Sequence, residues 1–300
     1  MNVVKYIRHR IHMLLLDFFP KLLVDRAWMR QFGYKVDWQH PRDINEKIQW
    51  LLIYTDTSEW SRLADKYKVR EYVAEKGLEN LLVRQYGVWN SPEAIDVKAL
   101  PERFVLKCNH DSGSTIIVTG GGTFEYGKIH NVLRRKLNRD YGGNGELHYR
   151  YIPPCIIAEE LLEQSEEERN LSSSLIDYKV WCFNGQPLYI GVYYDRTDES
   201  VTYDYYDVNW HLHNEFILSK GHFKVGNGRI KKPAALKEML ESASILSEGF
   251  PEVRVDFYIV HNKLYFGEMT FTSSGGMIQH YTKKFLKILG DHVMLPNSKS

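Results

Sequence analysis

Residues 254–276 read RVDFYIVHNKLYFGEMTFTSSGG and contain the pattern that decides the fold. Two apolar runs flank the polar residues 261–263, and this arrangement predicts a β-hairpin. Asp256 lies inside the first run, and Glu268 follows the second. Because a carboxylate is costly to bury without a positive partner, these two side chains indicate a site for a cation.

Arg254 adds a positive group to the same strand. It precedes Asp256 by two residues, so both side chains project from one face. Mg²⁺ binds carboxylate oxygens and keeps positions open for phosphate, while a guanidinium binds anionic oxygen. Together these groups favour a phosphoryl-transfer site. The alternative interpretation is an Arg–Asp ion pair on the surface of an edge strand.

The composition is that of an ordinary globular protein of 300 residues, with 43% hydrophobic and 26% charged residues. The 39 Lys and Arg residues balance the 38 Asp and Glu residues, so charge gives no support for nucleic-acid binding. Cys108, Cys155 and Cys182 form no CxxC pair, and each lies in an apolar run. They are therefore predicted to be buried, unpaired thiols in a reducing compartment.

The N-terminal stretch VVKYIRHRIHMLLLDFFPKLL places basic residues beside a short apolar run that Asp17 interrupts. This run is too short to span a bilayer, and no small-residue cleavage site follows it. Two interpretations stay open for residues 1–24: a helix packed on its own domain, or an interfacial helix that touches lipid. Both predict a cytoplasmic protein, and the second places it at the inner face of the cell membrane.

The pattern of apolar residues divides the chain near residue 100. Residues 1–100 are predicted to be mostly helical, with N-caps at Asn45 and Ser61 and a helix end at Gly77. Strands and Gly-rich turns follow, and residues 163–174 are predicted to form an exposed loop. Further helices are predicted at residues 126–141, 233–248 and 280–290.

Lys107 ends a predicted buried strand, and the small residues Ser112, Gly113 and Ser114 follow in a loop. Such a loop lets backbone N–H groups approach phosphate oxygens, and the lysine adds a positive charge. The spacing differs from GxxxxGK[ST], and no helix is expected after the loop, so a P-loop is disfavoured. Taken alone, these residues would equally form an ordinary hairpin turn.

The order of these motifs resembles the TupA-like branch of the ATP-grasp superfamily, named for a protein of teichuronopeptide synthesis. The phrases that carry the resemblance are DKYKVREYV, LPERFVLKCNHDSGS, PPCIIAEELL, DYKVWCFNGQPLYI and LYFGEMTFTSSGG. The resemblance implies an α+β ATP-grasp fold in which two α+β subdomains sandwich ATP. We expect a helical region over residues 1–100, a lid subdomain over 101–165, and a C-terminal subdomain with the metal hairpin over 166–300.

The resemblance also implies a nucleotide site. The residues expected to bind ATP are Lys107, Ser112, Gly113, Ser114, Glu159, Glu160, Leu161, Leu162 and Lys179. Lys107 would contact the α- and β-phosphates, and the loop at 112–114 would close on them. Residues 159–162 would form the hinge beside the adenine.

Catalytic and metal-binding roles follow from the same resemblance. Lys179 would face the nucleotide or the reacting carboxylate, and Arg254 would steady the transferring phosphoryl group. Asp256 and Glu268 would hold Mg²⁺. Thr270 stands where the superfamily pattern Glu-x-Asn has its Asn. Because a hydroxyl is a weaker ligand than an amide oxygen, a second ion would be held loosely or with help from another group.

Other polar residues have two interpretations each. His110 could transfer a proton, since the usual pKa of histidine is near neutrality. It could equally form a structural hydrogen bond at the end of a strand. Asp65 and Lys66 could contribute to the nucleotide site, but a solvated helix face is preferred. The tyrosines between residues 193 and 206 would either line a sugar site or cover a sheet face.

The resemblance implies an ATP- and Mg²⁺-dependent carboxylate–amine ligase that works through an acyl-phosphate. The implied substrates are a carboxylate-bearing saccharide, such as a uronic acid of a surface polysaccharide, and an amino acid or other amine. Alternatives are a kinase acting on a sugar hydroxyl, a glycan-binding protein without catalysis, and a glycosyltransferase, for which no Asp-x-Asp motif occurs in a suitable loop. The acceptor, the amine, the number of metal ions and the oligomeric state stay open.

Overall fold

The computed structural model describes residues 14–16, 18–111, 115–120, 126–139, 141–142 and 146–296. Two β-sheets form the framework and helices pack against them, so the α+β class is confirmed. The helices are α1 (Pro20–Phe32), α2 (Ile44–Tyr54), α3 (Ser58–Ala64), α4 (Val69–Glu75), α5 (Tyr126–Leu137), α6 (Glu166–Leu171), α7 (Leu236–Leu246) and α8 (Lys283–Asp291). The strands are β1 (Gln85–Trp89), β2 (Arg103–Cys108), β3 (Ile116–Thr119), β4 (Ile156–Glu160), β5 (Asp177–Phe183), β6 (Gln186–Tyr194), β7 (Val201–Asp207), β8 (Phe223–Val225), β9 (Val253–Val260) and β10 (Lys263–Thr270).

The first sheet has the strand order β1-β4-β2-β3, and all its pairs are antiparallel. Lys107 lies opposite Ile157, and Val105 lies opposite Glu159. Because side chains alternate along a strand, Lys107 and Glu159 project from the same face. The other face packs against Leu133 of α5 in a small apolar core. Strand β1, which the sequence analysis did not identify, completes this sheet.

The second sheet has the order β10-β9-β5-β6-β7-β8, with one parallel pair, β7 and β8. The predicted hairpin is confirmed as β9 and β10, and the turn residues His261 and Asn262 both have positive φ. Asp256 lies opposite Glu268 on one side and opposite Lys179 on the other. The register therefore places three charged side chains in a row across neighbouring strands.

A β-bulge between Phe266 and Glu268 interrupts this hairpin. It centres on Gly267, where a Cβ would lie 2.9 Å from the carbonyl oxygen of Asp256. Glycine is therefore needed for the close approach of the two strands. Since a bulge re-aims the side chains that follow it, this feature sets the direction of Glu268.

The main hydrophobic core lies on the face of the second sheet that is opposite to these charges. Val180 of β5 and Val255 of β9 are fully buried there with Met239 and Ala243 of α7. The charged face is thereby left to form the wall of a cleft. Cys108, Cys155 and Cys182 are buried and unpaired, as predicted.

Two local predictions from the sequence are wrong. Asp43, not Asn45, is the N-cap of α2, because its side chain accepts the N–H of the third residue along. Asn45 is instead buried and hydrogen-bonded to the backbone of the C-terminal region. Residues 163–174 are not a loop throughout, because Ser165 and Glu168 form a capping box that starts α6.

The helix predicted from Ser61 to Gly77 is also wrong in part, because it is two helices. Ser61 lies inside α3, and the chain turns after Ala64 before α4 begins. Asp65 causes the break, since its carboxylate accepts the N–H of Tyr67 at 2.8 Å and so competes with helical hydrogen bonds. Gly77 has φ of +75° just beyond α4 and ends that helix region as predicted.

Candidate active site

A cleft of about 540 Å³ lies between the two sheets. The first sheet and its flanking segments supply an apolar wall, formed by Leu82, Val83, Val105, Ile117, Leu161 and Leu162. The second sheet supplies the charged row, and the sheet and the segment before α8 together supply an aromatic wall formed by Tyr193, His222, Phe223, His280 and Tyr281. A concave, largely apolar site with a few convergent charges is the usual form of a small-molecule site.

The structure brings most of the expected site residues to this cleft. Those that line it are Lys107, Glu159, Glu160, Leu161, Leu162, Lys179, Arg254 and Glu268. Asp256 lies directly behind Arg254 and Lys179, and Thr270 contacts Arg254. Ser112, Gly113 and Ser114 lie outside the described residues.

Glu159 organises the cations of the first sheet. Its carboxylate forms an ion pair with Lys107 Nζ, and Arg70 Nη1 lies 3.5 Å from its other oxygen. Arg70 is held in place by a 2.8 Å hydrogen bond to the carbonyl oxygen of Val83. Arg70 was not predicted from the sequence, and the structure places it among the residues that line the cleft.

The prediction that Lys66 lies on a solvated helix face is wrong. The turn between α3 and α4 directs Lys66 into the cleft, where its Nζ donates to the carbonyl oxygen of Asp111. Burial lowers the pKa of Lys66, and the nearby Glu268 opposes this shift. Asp65 is buried and hydrogen-bonded to Asn109 at 2.8 Å. The phrase DKYKVREYV, which contains Asp65 and Lys66, is the sequence signal for these residues.

Asp256 is the centre of the charged row on the second sheet. Arg254 donates to both of its oxygens, from Nε at 2.6 Å and from Nη2 at 2.7 Å. Lys179 Nζ donates to the same carboxylate. Burial alone would raise the pKa of Asp256, but Arg254 and Lys179 lower it below its usual value. The carboxylate is therefore ionised and fixes two cations in place.

Arg254 connects this centre to the cleft. Its Nη1 donates to Ser273 Oγ at 3.0 Å, and its Nη2 donates to Thr270 Oγ1 at 3.1 Å. Glu268 Oε1 lies 3.6 Å from Nη2 and accepts from the Thr270 hydroxyl at 3.4 Å. Thr270 thus orients Glu268 through a hydrogen bond.

Asp177, which the sequence analysis did not select, supports Lys179 from the other side. Its carboxylate lies 2.8 Å from Lys179 Nζ and 3.5 Å from Arg196 Nη2. Burial raises the pKa of Asp177, while Lys179 opposes the shift. Lys179 is consequently held between two carboxylates at the floor of the cleft.

The donor set allows a particular kind of metal site. No cluster of three His, Cys, Asp or Glu ligands occurs in the part of the chain that the structure describes. Mg²⁺ does not need one, because it is commonly held by one or two carboxylates together with phosphates and water. Glu268 is 39% exposed and faces the cleft, whereas Asp256 lies behind Arg254. These residues fit an ion that Glu268 holds against a bound phosphate.

His110 lies away from the cleft lining. It is buried, its Nε2 is 3.3 Å from the carbonyl oxygen of Arg139, and its ring is edge-on to Tyr141. Burial lowers the pKa of His110, so the ring is neutral near pH 7. This environment agrees with the structural alternative for this histidine.

Comparison with solved structures finds several ligases. D-Alanine–D-alanine ligase from Bacillus anthracis complexed with ATP has 16% identity and a TM-score of 0.39, over 70% of this chain and 55% of that one. The ATP-grasp ligase PsnB complexed with its minimal precursor has 12% identity and a TM-score of 0.42, over 73% and 54%. L-Amino acid ligase from Bacillus licheniformis has 13% identity and a TM-score of 0.44, over 84% and 55%. The chain spans little more than half the length of each.

No curated protein matches the chain. A family model described as TupA-like ATPgrasp matches residues 46–294, which is most of the sequence. The match spans both sheets and all the cleft residues described above. The α+β ATP-grasp fold expected from the sequence is confirmed, and the chain belongs to the TupA-like ATP-grasp family.

Proposed function

We propose that the chain is an ATP- and Mg²⁺-dependent carboxylate–amine ligase. The observation that supports this most strongly is the charge distribution in one cleft. Lys66, Lys107, Lys179 and Arg254 converge on it, and Glu268 presents a carboxylate beside them. Such an arrangement suits a reaction that brings a polyphosphate and a carboxylate together, because the cations offset the charge of both reactants.

In this proposal the adenine lies against the apolar wall, beside the hinge at residues 159–162. Lys66 and Lys107 contact the phosphates, and Glu159 keeps Lys107 in position. Residues 101–165 act as the lid, and residues 166–300 carry the metal hairpin. Mg²⁺, held by Glu268 with Asp256 and Thr270 behind it, would supply charge neutralisation at the β- and γ-phosphates.

The chemistry proceeds in two displacements. A carboxylate oxygen of the acceptor attacks the γ-phosphorus of ATP, and ADP leaves as the acyl-phosphate forms. An amine then attacks the acyl carbon, inorganic phosphate leaves, and the nitrogen gives up one proton. Arg254 is placed to bind the transferring phosphoryl group or the acceptor carboxylate, and Lys179 binds the other negative charge.

The family's name supports a narrower proposal for the substrates. We propose that the acceptor is a carboxylate-bearing saccharide, such as a uronic acid of a cell-surface polysaccharide, and that the amine is an amino acid or related compound. The reaction would take place in the cytoplasm, at the inner face of the cell membrane. Two alternatives give different products: a sugar kinase leaves phosphate on the sugar, and a glycosyltransferase consumes a sugar nucleotide.

Product analysis with a labelled acceptor tests the proposal. The protein is incubated with MgATP, D-glucuronate or D-galacturonate labelled with ¹⁸O in the carboxylate, and a panel of amino acids. We expect equal amounts of ADP and inorganic phosphate, with one ¹⁸O atom transferred to the phosphate. Label that stays in the sugar while the sugar gains phosphate would support the kinase and contradict the ligase.

The exposed side of α1 supports a peripheral membrane contact. Among the described residues, no helix is long and apolar enough to cross a bilayer. The exposed apolar side chains at and near α1 are Leu14, Phe18, Phe19, Leu22 and Met29. Arg26 and Arg30 are exposed on the same helix. An apolar stripe with basic neighbours is typical of helices that lie on anionic lipid.

We expect the protein to co-sediment with vesicles containing phosphatidylglycerol. Replacing Phe18 and Leu22 together by Ser should lower the bound fraction at least about tenfold, because each buried apolar side chain contributes roughly 1.5–3 kcal/mol. Replacing Leu171 and Ile245, which are exposed on other helices, is the matched control. Equal binding by both double variants would exclude α1 as the contact.

A further inference from the structure

The aromatic wall is built from three separate segments of the chain. Tyr193 lies on β6, His222 and Phe223 lie at the edge strand β8, and His280 and Tyr281 precede α8. His280 and Phe223 are stacked with centroids 3.8 Å apart and an interplanar angle of 17°. The ring of His222 is tilted by 35° against Phe223, with the centroids 4.0 Å apart. Three rings, His222, Phe223 and His280, thus form one aromatic cluster, called here the ring stack.

The ring stack is held rigidly by its backbone. The carbonyl oxygen of His280 accepts two hydrogen bonds at 2.8 Å, from the N–H of Leu218 and from the hydroxyl of Tyr203. Tyr281 also forms a β-bridge with Ile217. These contacts hold the backbone of residues 280 and 281 in place without a ligand, which lowers the ordering entropy that binding to the wall would cost.

His280 has an unusual environment for a buried polar side chain. It is 6% exposed and lines the cleft, yet its ring nitrogens make no hydrogen bond within the described residues. Burial, with smaller contributions from Arg254 and His222, lowers the pKa of His280 to about 3. The ring is therefore neutral at pH 7 and offers one donor and one acceptor. The ring nitrogens are not among the fully buried polar atoms that lack a partner, so they are open to the cleft and available to hydrogen-bond a ligand.

The charges near the ring stack narrow the chemical class of that ligand. Arg254 and Lys179 are the cations nearest to the aromatic wall, and Lys179 Nζ lies 5.5 Å from the centroid of the Tyr193 ring. Asp177 lies opposite Tyr193; its Oδ2 is paired with Lys179 and Arg196, and its Oδ1 has no hydrogen-bond partner among the described residues. The remaining described carboxylates of the cleft are Glu159 and Glu160 on the first sheet, and Glu268 at the metal position. Three cations, Lys179, Arg196 and Arg254, line this side of the cleft against the two carboxylates Asp177 and Glu268, so an anionic group is favoured here over an ammonium group.

A ligand that fits is a ring with apolar faces, hydroxyl groups at its edge and a carboxylate. Four of the five rings in the aromatic wall carry nitrogen or oxygen, which suits hydroxyl groups better than a purely aromatic ligand. We propose that the ring stack is the subsite for the sugar ring of the acceptor, with His280 hydrogen-bonding a sugar hydroxyl and Arg254 binding the carboxylate. This inference rests on the proposed function, and it assigns the sugar, not the amine, to this wall.

Saturation-transfer NMR of the whole chain tests the subsite without any turnover. The probes are D-glucuronate, D-galacturonate, benzoate and D-alanine, each with and without the nucleotide. We expect at least one uronate to bind, with saturation concentrated on one face of the ring. His280→Phe keeps the stack but removes both nitrogens, and it should weaken uronate binding about tenfold. His211→Phe, at an exposed histidine outside the cleft, should leave it unchanged.

Other outcomes would overturn the assignment. Tighter binding of benzoate would assign the wall to an aryl acid, and tighter binding of D-alanine would assign it to an amino acid. Equal uronate binding by wild type, His280→Phe and Phe223→Ala would place the sugar elsewhere. The proposed function is separable, because uronate binding without ATP turnover would leave the subsite standing and remove the ligase. Turnover with an acceptor that is not a sugar would support the ligase and contradict the sugar subsite.

Discussion

Asp256→Ala is expected to abolish turnover and also to lower the free energy of unfolding by about 3–5 kcal/mol. The carboxylate is buried and accepts hydrogen bonds from Arg254 and Lys179. Its removal leaves two buried cations facing each other, and the penalty for an uncompensated buried charge is large. Urea denaturation, followed by tryptophan fluorescence, measures the stability, and ADP release measures the turnover.

Glu268→Ala is the matched comparison, because it removes a carboxylate that is partly exposed. We expect turnover to fall at least about 10²-fold, as for other groups that stabilise charge in a transition state. Stability should stay within about 0.5 kcal/mol of wild type, since surface changes rarely exceed this. If both variants lost stability equally, Glu268 would be part of the structural network and not an open ligand. Full activity in either variant would contradict the proposed metal site.

Lys107→Ala is expected to weaken binding of a non-hydrolysable ATP analogue by roughly 10- to 150-fold. This is the effect of losing a charged hydrogen bond of about 1.5–3 kcal/mol. The variant should stay folded, because Arg70 still accompanies Glu159. Lys66→Ala should have a similar effect, since that side chain enters the same cleft.

Isothermal titration calorimetry measures these affinities. Lys237→Ala is the control, because Lys237 is an exposed lysine of α7 that does not line the cleft. It should bind the analogue as wild type does. An unchanged affinity in Lys107→Ala and Lys66→Ala would place the nucleotide away from the first sheet and contradict the orientation proposed for ATP.

The sequence was sufficient for the hairpin and for the residues it carries. Two apolar runs flank a short polar turn, and the side chains of Arg254 and Asp256 share a face because any strand repeats its side-chain direction every two residues. The position of Glu268 opposite Asp256 was not predicted, because it depends on the bulge between Phe266 and Glu268, which the pattern did not reveal. The regular hairpin was therefore predictable from the sequence, and the bulge at Gly267 was not.

Residues whose role depends on distant contacts were harder to predict. Lys66 reaches the cleft only because Asp65 breaks a helix and hydrogen-bonds Asn109 from another segment. Arg70 lines the cleft beside Glu159, with which it forms an ion pair and which is far away in sequence. Tyr193 lines the cleft as part of the aromatic wall, whereas its neighbour Tyr194 does not and instead bonds Asp204. The sequence pattern does not indicate which face of a strand lines the cleft.

The most direct test of the central claim, that this cleft binds MgATP, is the thermal stability of the whole chain with nucleotide. Mg²⁺ and a non-hydrolysable ATP analogue at about 100 times Kd should add roughly 2.7 kcal/mol and raise Tm by several degrees. The shift should need both components and should be lost in Lys107→Ala. No shift with the analogue, or a shift with UDP-sugars alone, would contradict the account.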